Sequence, residues 1–386
     1  MLGVVANSSP EGLEFLKELI AKRLNFALLP DRVTEAELEF MAESAGVSEL
    51  LRSEKDFSLT KKVCESPAEG RIVFFTSGST GEPKAVVHDL DRLRLAANAS
   101  NLLTGLKETH SWLVPLPLSH VGGFSVILRT QAVGAKIHLL EGEDLSASIR
   151  KLKPSHISLV PTQLIQIIDD DLSCVETILL GGAPAAETLL EKAKKKGLKV
   201  INCYGMTEAG STLATISPEG HLEPLNGVEL KITAEGKLLV KSPGLFLGYL
   251  KASGQGFDNS KLKDDWFLTD DLAEINSTGE VKLEGRGDRT IISGGENIHP
   301  REIEIQVERI SGIKEAAVIS RKDNKWGERP VLFYSAQKAL SEELILSELE
   351  KGLTKFKTPD SIYYLETLPR LATGKIDYLA LESKLT

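Results

Sequence analysis

RIVFFTSGSTGEPKAVVH, residues 71–88, sets a short apolar strand against a run of glycines and hydroxyls, then resumes as a second apolar strand. Gly78 and Gly81 permit close backbone approach, Thr76, Ser77, Ser79 and Thr80 supply hydroxyls, and Lys84 brings a cation. That combination suits the oxygens of a nucleoside triphosphate. The order is not GxxxxGK[ST]: Glu82 and Pro83 separate Gly81 from Lys84, and Ala85 lacks the hydroxyl that would hold magnesium. On composition alone the same run is also a Gly/Ser surface turn, and both readings stand at this point.

Outward from this segment, strand, turn and helix patterns alternate. SWLVPLPL at 111–118 and the apolar run 123–133 precede AKIHLL, readable as helix then strand. ISLVPTQLIQII at 157–168 looks like a strand entering a helix, and VETILLGGA at 175–183 ends a strand at a double glycine. ETLLEKAKKKG at 187–197 predicts a helix stopped at Gly197, with the strand KVINCYG after it. Such repetition argues for layered α/β architecture. Past Gly220 the segments shorten to VELKI, KLLVKS and EVKLEG between glycine and polar turns, a β-rich unit. Beyond GRGDRT at 285–290, the stretches EIEIQVERI, EAAVIS, VLFYSA, SEELILSELEKGL (a helix candidate) and IYYLETLPRL compose a small α+β region. The junction is placed at Asp288, with a large domain over 1–287 and a small one over 288–386. Upstream, 11–27 and 33–53 carry apolar and charged positions at spacings compatible with amphipathic helices, with Pro30 and Asp31 at the join.

The 386 residues carry 46 Lys and Arg against 55 Asp and Glu, a net charge of −9 that argues against a nucleic-acid partner. The start MLGVVANSSPEGLEF lacks a basic stretch followed by an apolar core, and no run reaches the length of a bilayer span. A cytoplasmic enzyme without stable membrane insertion is the expectation. Cys64, Cys174 and Cys203 are far apart, without metal-ligand spacing or a disulfide framework, and are expected to be packing thiols.

TSGSTGEPK is followed in order by GGA at 181–183, YGMTE at 204–208, WFLTDD at 266–271, GRGD at 285–288, SGGENIHPREIE at 293–304 and LPRLATGK at 368–375. The ordered set spans about 300 residues and resembles the acyl-adenylate-forming superfamily of acyl-CoA synthetases, luciferases and peptide-synthetase adenylation domains. The fold this implies has a large N-terminal α/β domain, a β-rich subdomain and a small mobile α+β C-terminal domain. The activity implied is that of an ATP-dependent acid–thiol ligase, with ATP and CoA as cosubstrates and Mg2+ as cofactor.

By that resemblance, Ser77, Gly78, Ser79, Thr80, Gly81 and Lys84 handle ATP phosphates. Gly181, Gly182 and Ala183 border the adenine, Tyr204 stacks near the base beside Gly205, Thr207 contacts phosphate, and Glu208 helps hold magnesium. Asp271 and Arg286 contact the ribose. Lys375 reaches in from the small domain to orient the acid's carboxylate and stabilise charge as its oxygen attacks the α-phosphate. Asp288 is the hinge of an alternating small domain, which in its other orientation brings Ser293, Gly294 and Gly295 to a CoA tunnel. Plainer readings stand beside these: Tyr204 as a core tyrosine, Glu208 as a solvated acid, Asp271 as a turn cap, Arg286 as an interdomain ion pair and Lys375 as an exposed lysine. The chain departs from the usual TGD by reading TDD at 269–271, placing Asp270 beside the nucleotide. The phosphate segment also begins early, at residue 76, which implies a shortened N-terminal region. No covalent protein nucleophile is expected.

PLPLSHVGGFSVILRTQAVGA at 115–135 and SLVPTQLIQII at 158–168 most resemble the 2-succinylbenzoate–CoA ligase branch, which serves menaquinone biosynthesis. The resemblance implies an aromatic keto-dicarboxylic acid, free CoA as acceptor, and a possible homo-oligomer. His120, Gly122 and Gly123 would shape its pocket and Gln163 would add a polar contact; a core histidine and two packing glycines are the alternative. A broader aryl or medium-chain acyl-CoA synthetase shares the same ATP machinery, and a nucleotide-binding regulator without turnover is the non-enzymatic alternative.

Overall fold

The computed structural model describes residues 1–31, 33–52, 69–77, 83–140, 142, 144–251, 256–294, 296–371 and 374–385. Cys64, Gly78, Ser79, Thr80, Gly81 and Gly295 lie outside the described residues, as do the side chains of Ser77 and Asp288.

The strand Arg71–Ser77 forms an antiparallel pair with Pro83–Asp89, so that Thr76 faces Lys84 and Ser77 faces Pro83 across the hairpin. Phe26–Leu29 lies parallel to Arg71–Ser77 on the other side, followed by Leu2–Val5 and Glu49–Leu51, also in parallel. Two short strands from far along the chain, Gly248–Leu250 and Phe257–Asp258, complete this first sheet beyond Pro83–Asp89. The second sheet runs in parallel through Lys136–Leu139, Ser111–Val114, His156–Leu159, Thr177–Leu180 and Val200–Met206. From there it continues antiparallel through Ser211–Ile216, His221–Pro224, Val281–Arg286, Trp266–Ile275, Lys237–Lys241 and Glu229–Ile232.

Strand periodicity explains the layering. Phe26, Leu28, Ile72 and Phe74 point to one core, while the alternating Ala27, Leu29, Val73 and Phe75 point to another. The first core is filled by the helices Pro10–Ala21, Leu90–Thr104 and Val121–Val133 and closed by Trp112 and Val114 of the second sheet. The helix Glu35–Ser44 covers the outer face of the first sheet through Leu38 and Met41. Helices Leu145–Leu152, Pro161–Ile167 and Glu187–Lys195 cover the outer face of the second. The result is five layers, α-β-α-β-α, with the antiparallel arm of the second sheet extending past the helical cover. Helix ends follow local chemistry: Ser9, Asp89 and Asp144 accept from first-turn amides, and Gly105 and Gly134 end their helices at φ +71° and +75°.

A third sheet, Glu296–Ile298, Ile291–Ser293, Gly327–Ala336 and Ile313–Asp323, with Ser361–Leu365 parallel to Gly327–Ala336, occupies the C-terminal part. Helices Pro300–Glu308 and Glu342–Leu349 pack on one face around Ile303, Val307 and Ile345; Leu368 and Leu381 pack on the other.

Two N-terminal expectations are corrected, and a strand that the sequence reading did not foresee is added. The helix expected over 11–27 ends at Ala21, the one expected over 33–53 covers Glu35–Ser44, and Phe26–Leu29, Glu49–Leu51 and Leu2–Val5 are strands. FALL is buried on both faces of a parallel sheet, so its four apolar residues show no alternation and merge with the preceding helical pattern. Among the described residues, no helix is long and apolar enough to cross a membrane.

Candidate active site

The second sheet changes from parallel to antiparallel within Val200–Met206: Val200 to Asn202 pair with Ile178 to Leu180, and Cys203 to Met206 with Ser211 to Thr215. The register shifts between Tyr204 and Gly205, and at Gly205 a Cβ would sit 1.9 Å from the Ser211 carbonyl oxygen, so only glycine fits. Thr207–Ala209 then form a single 3-10 turn closed by Gly210 at φ +71°. This turn is anchored from the first sheet. Nε2 of the fully buried His88 lies 2.6 Å from the Thr207 carbonyl oxygen, and the Phe246 amide donates to the Glu208 carbonyl at 2.8 Å. Burial pushes the His88 pKa down to about 4, so the ring is neutral and Nε2 carries the proton it donates.

Glu208 on this turn and Tyr204 on the strand before it are each held by a side-chain hydrogen bond. Tyr249 donates to Glu208 Oε1 at 2.8 Å, and the Lys84 ammonium lies 5.7 Å from the Tyr249 ring centroid. Tyr204 donates to Asp271 Oδ2 at 2.5 Å; burial and then the Asp271 charge raise the phenol pKa well above its ordinary value, keeping it a donor. Asp271 stands opposite Arg286 across the strand pair, with Nη1 3.7 Å from Oδ1. The Asp271 amide donates to Thr269 Oγ1 at 3.1 Å, and that hydroxyl donates to the Leu238 carbonyl at 2.8 Å. GGA runs alongside: Gly181 donates to the Leu159 carbonyl at 3.0 Å, Gly182 adopts φ +81°, and a Cβ on Gly181 would lie 3.6 Å from the Cys203 carbonyl.

Lys375 arrives from the C-terminal part on a tight turn. Leu371 donates to the Lys375 carbonyl and Gly374 to the Leu371 carbonyl, both at 2.9 Å, while Arg370 donates to the Gly374 carbonyl at 2.7 Å and pairs with Glu315. Gly374, at φ +80°, has Val160 Cγ2 3.0 Å from the place of a Cβ, so the turn rests on the start of the helix Pro161–Ile167. The outer surface of Lys375 stays open to water while protein crowds it from several sides. Desolvation therefore lowers its pKa, Arg286 lowers it further, and Glu208 and Asp271 oppose. The same lysine acts on His120, whose pKa is pushed down to about 4 by burial and then by Lys375. Lys375 thus lies within electrostatic reach of His120, Glu208, Asp271 and Arg286.

On the acyl side the expected residues separate. Gly122 has only Leu116 Cδ1, at 3.5 Å, near the place of a Cβ, whereas at Gly123 a Cβ would meet the Pro117 carbonyl oxygen at 2.3 Å. Gly123 is there to let its helix pack, and Gly122 faces the roomier side. Gln163 Oε1 accepts from the Val160 amide at 3.1 Å and so caps the helix carrying it. Ser293 and Gly294 are bound within the third sheet, Ser293 Oγ to Arg329 at 3.2 Å and the Gly294 amide to the Trp326 carbonyl at 2.7 Å, away from the Tyr204 cluster. Burial raises the Cys203 pKa to about 12, which fits a packing thiol.

His88 and Tyr249 escaped the sequence reading, and so did Arg129. Arg129 is 1% exposed, and among the described residues no carboxylate pairs with it. Its Nη2 donates to Ser211 Oγ at 3.2 Å and to Thr212 Oγ1 at 3.3 Å, its Cζ lies 5.5 Å from the Trp112 ring centroid, and Nε has no hydrogen-bond partner. Desolvation lowers its pKa to about 10, leaving it a cation. Ser211 itself holds φ +118°, unusual for a residue with a side chain. For a divalent cation, the Glu208 carboxylate with the neighbouring Thr207 hydroxyl is a hard-oxygen set suited to Mg2+, which keeps most of its waters and bridges phosphates.

A family model described as AMP-binding enzyme matches residues 18–250, and one described as AMP-binding enzyme C-terminal domain matches 302–375. The 2-succinylbenzoate–CoA ligase of Listeria monocytogenes serotype 4b is 33% identical over 386 aligned residues, covering 90% of this chain and 81% of the relative. Among solved structures, o-succinylbenzoate CoA synthetase (MenE) from Bacillus subtilis in complex with the acyl-adenylate intermediate OSB-AMP is similar at a TM-score of 0.83 and 27% identity, covering 97% of this chain and 86% of that one. The same Bacillus subtilis protein in complex with ATP and magnesium ion is similar at a TM-score of 0.82 and 27% identity, with 97% and 87% covered.

Proposed function

The chain belongs to the AMP-binding enzyme family, and from that membership we propose that it acts as an ATP-dependent, AMP-forming 2-succinylbenzoate–CoA ligase serving menaquinone biosynthesis. The observation that carries the chemistry is that the turn bearing Lys375 rests against Val160 at the start of the helix Pro161–Ile167, with the lysine in electrostatic reach of Glu208, Asp271 and Arg286. A carboxylate oxygen of the acid attacks the α-phosphorus of ATP, and the bond to pyrophosphate breaks. The Lys375 ammonium orients that carboxylate and offsets the charge developing at phosphorus. Tyr204, with Gly181, Gly182, Ala183 and Gly205, borders the base; Asp271 and Arg286 hold the ribose; Thr207 and Lys84 serve the phosphates, a role the sequence also assigns to Thr76, Ser77, Gly78, Ser79, Thr80 and Gly81. Bound at Glu208, Mg2+ supplies charge neutralisation to the polyphosphate. In the second half-reaction the CoA sulfur attacks the acyl carbon, the bond to AMP breaks, and the thiol proton leaves to solvent.

The division at Asp288 is part of the proposal: a catalytic domain over 1–287 and a mobile one over 288–386. Arg286 is held across a strand pair of the second sheet, whereas Arg289 bonds Glu304 and the Val318 carbonyl and lies 3.5 Å from the Tyr378 ring centroid. The chain therefore passes from one body to the other within three residues. The described arrangement supports the adenylating orientation; rotation about Asp288 would withdraw Lys375 and bring Ser293, Gly294 and Gly295 toward a CoA passage.

For the acid, His120 and Gly122 flank the reacting end and Gln163 lies behind Val160. The benzoate carboxylate, which must stay unreacted, finds its countercharge in Arg129. Ser211 accepts from that guanidinium and keeps its own proton for a ligand oxygen. We place the enzyme in the cytoplasm, working on small molecules without nucleic acid, with self-association open to measurement. The test is incubation with ATP, Mg2+, CoA and a panel of 2-succinylbenzoate, benzoate and aliphatic acids, following pyrophosphate and acyl-CoA mass. Selective formation of 2-succinylbenzoyl-CoA is expected; preferred conversion of another acid would overturn the substrate assignment.

A further inference from the structure

Asp270 places a second carboxylate beside Asp271 in TDD, and its surroundings show how this chain accommodates the added charge. Two adjacent carboxylates face one guanidinium: Arg286 Nη1 is 3.7 Å from Asp271 Oδ1, and Nη2 is 4.0 Å from Asp270 Oδ2. At such similar distances Asp270 competes with the ribose anchor for the same cation. Lys261 engages the competitor. Its ammonium lies 2.6 and 2.7 Å from the two Asp270 oxygens. A hairpin puts it there: Leu262 pairs with Phe267 and Lys263 with Trp266, and Asp264 and Asp265, at φ +52° and +64°, make the two-residue left-handed turn. The Leu268 amide donates to the Lys261 carbonyl at 2.8 Å, fixing the lysine beside the strand that bears Asp270.

We propose that Lys261 is a positioning residue for the nucleotide: by holding Asp270 it leaves Arg286 to Asp271 and keeps this group of four charges balanced where a polyanion must bind. Without it, the two carboxylates outnumber the guanidinium and Arg286 is drawn toward Asp270. The inference rests on the ATP site proposed above, and the experiment separates the two. Mg-ATP binding is measured by titration calorimetry on the full chain, alongside kcat and the KM values for ATP and acid. In Lys261→Ala, the Kd and KM for Mg-ATP rise about fivefold while kcat and the acid KM stay within about twofold. Lys261→Arg restores both, and Lys261→Ala combined with Asp270→Gly recovers Mg-ATP affinity because the competitor is gone. Unchanged affinity in folded Lys261→Ala overturns the inference alone. A double variant as weak as Lys261→Ala overturns it too, since Lys261 would then touch the nucleotide directly. A parallel loss of kcat and thermal midpoint would show a merely structural role and also overturn it. No Mg-ATP binding by the unaltered protein would sink both the inference and the ATP site.

Discussion

The two sides of the cleft handle charge in opposite ways. On the nucleotide side the polar groups are tied to one another before any ligand arrives: Tyr204 to Asp271, Tyr249 to Glu208, Lys261 to Asp270. On the side proposed for the acid, a buried guanidinium is met, among the described residues, by hydroxyls and an aromatic face and by no carboxylate. A site whose groups hold each other is preorganised for a ligand of fixed shape, while a buried cation lacking an anion selects for the ligand that brings one. Under the proposed function, the first side carries the adenylation chemistry and the second the choice among acids.

Replacing Lys375 by alanine tests the joint between the sides and should have the largest effect. Acyl-AMP formation, read as acid-dependent pyrophosphate release, should fall about 10²–10³-fold with the thermal midpoint unchanged, while thioester formation from supplied acyl-AMP persists. An unchanged adenylation rate would remove Lys375 from the chemistry. Acid comes next. His88 and His120, one on each side, both titrate at about 4 rather than 6.5, so the folded state binds fewer protons than the unfolded between those values. Stability is full above pH 6.5 and is lost as pH falls toward 4; His88 alone accounts for about 3 kcal/mol. Chemical denaturation across that range should show a shallower slope in His88→Gln, and an identical slope would mean that the ring is not held neutral.

Arg129→Leu should then separate the sides cleanly. Its kcat/KM for 2-succinylbenzoate should drop about 30-fold, with ATP binding intact and the analogue lacking the ring carboxylate converted about as well as before. Equal losses for both acids would move Arg129 from recognition to packing. Smallest is Tyr204→Phe, where the hydroxyl donating to Asp271 is lost: the KM for ATP should rise about tenfold and the acid KM should hold. A shift in the acid KM instead would blur the division.

The same contrast governs what the sequence discloses. TDD and GRGD lie on adjoining strands whose pairing sets Asp271 opposite Arg286, while Tyr204, on a strand of the same sheet with three others between, reaches Asp271 by its hydroxyl, so two of the motifs carry their geometry with them and the third needs the whole sheet. Much of the strand and helix order after Arg71 was legible because turns and periodicity mark the changes, but the helices Leu90–Thr104 and Leu145–Leu152 went unread, and Phe26–Leu29 hid behind its uniform burial. Gly122 and Gly123 are neighbours in sequence, yet only packing against Pro117 distinguishes them. Arg129 left one faint signal: VGGFSVILRTQAV is apolar around nearly its whole circumference, so its helix had to be buried and its arginine with it.

That arginine also bears on how long the protein lasts. A core that holds a cation against hydroxyls is less heat-resistant than one with a hydrocarbon in the same place, as buried charges elsewhere have shown. Arg129→Leu should melt above the unaltered chain even as it loses its acid, and a bound dicarboxylate should raise the melting point more than a bound monocarboxylate does. Selection for endurance alone would erase the residue; in the role proposed for it, its presence trades thermal margin for choice of substrate.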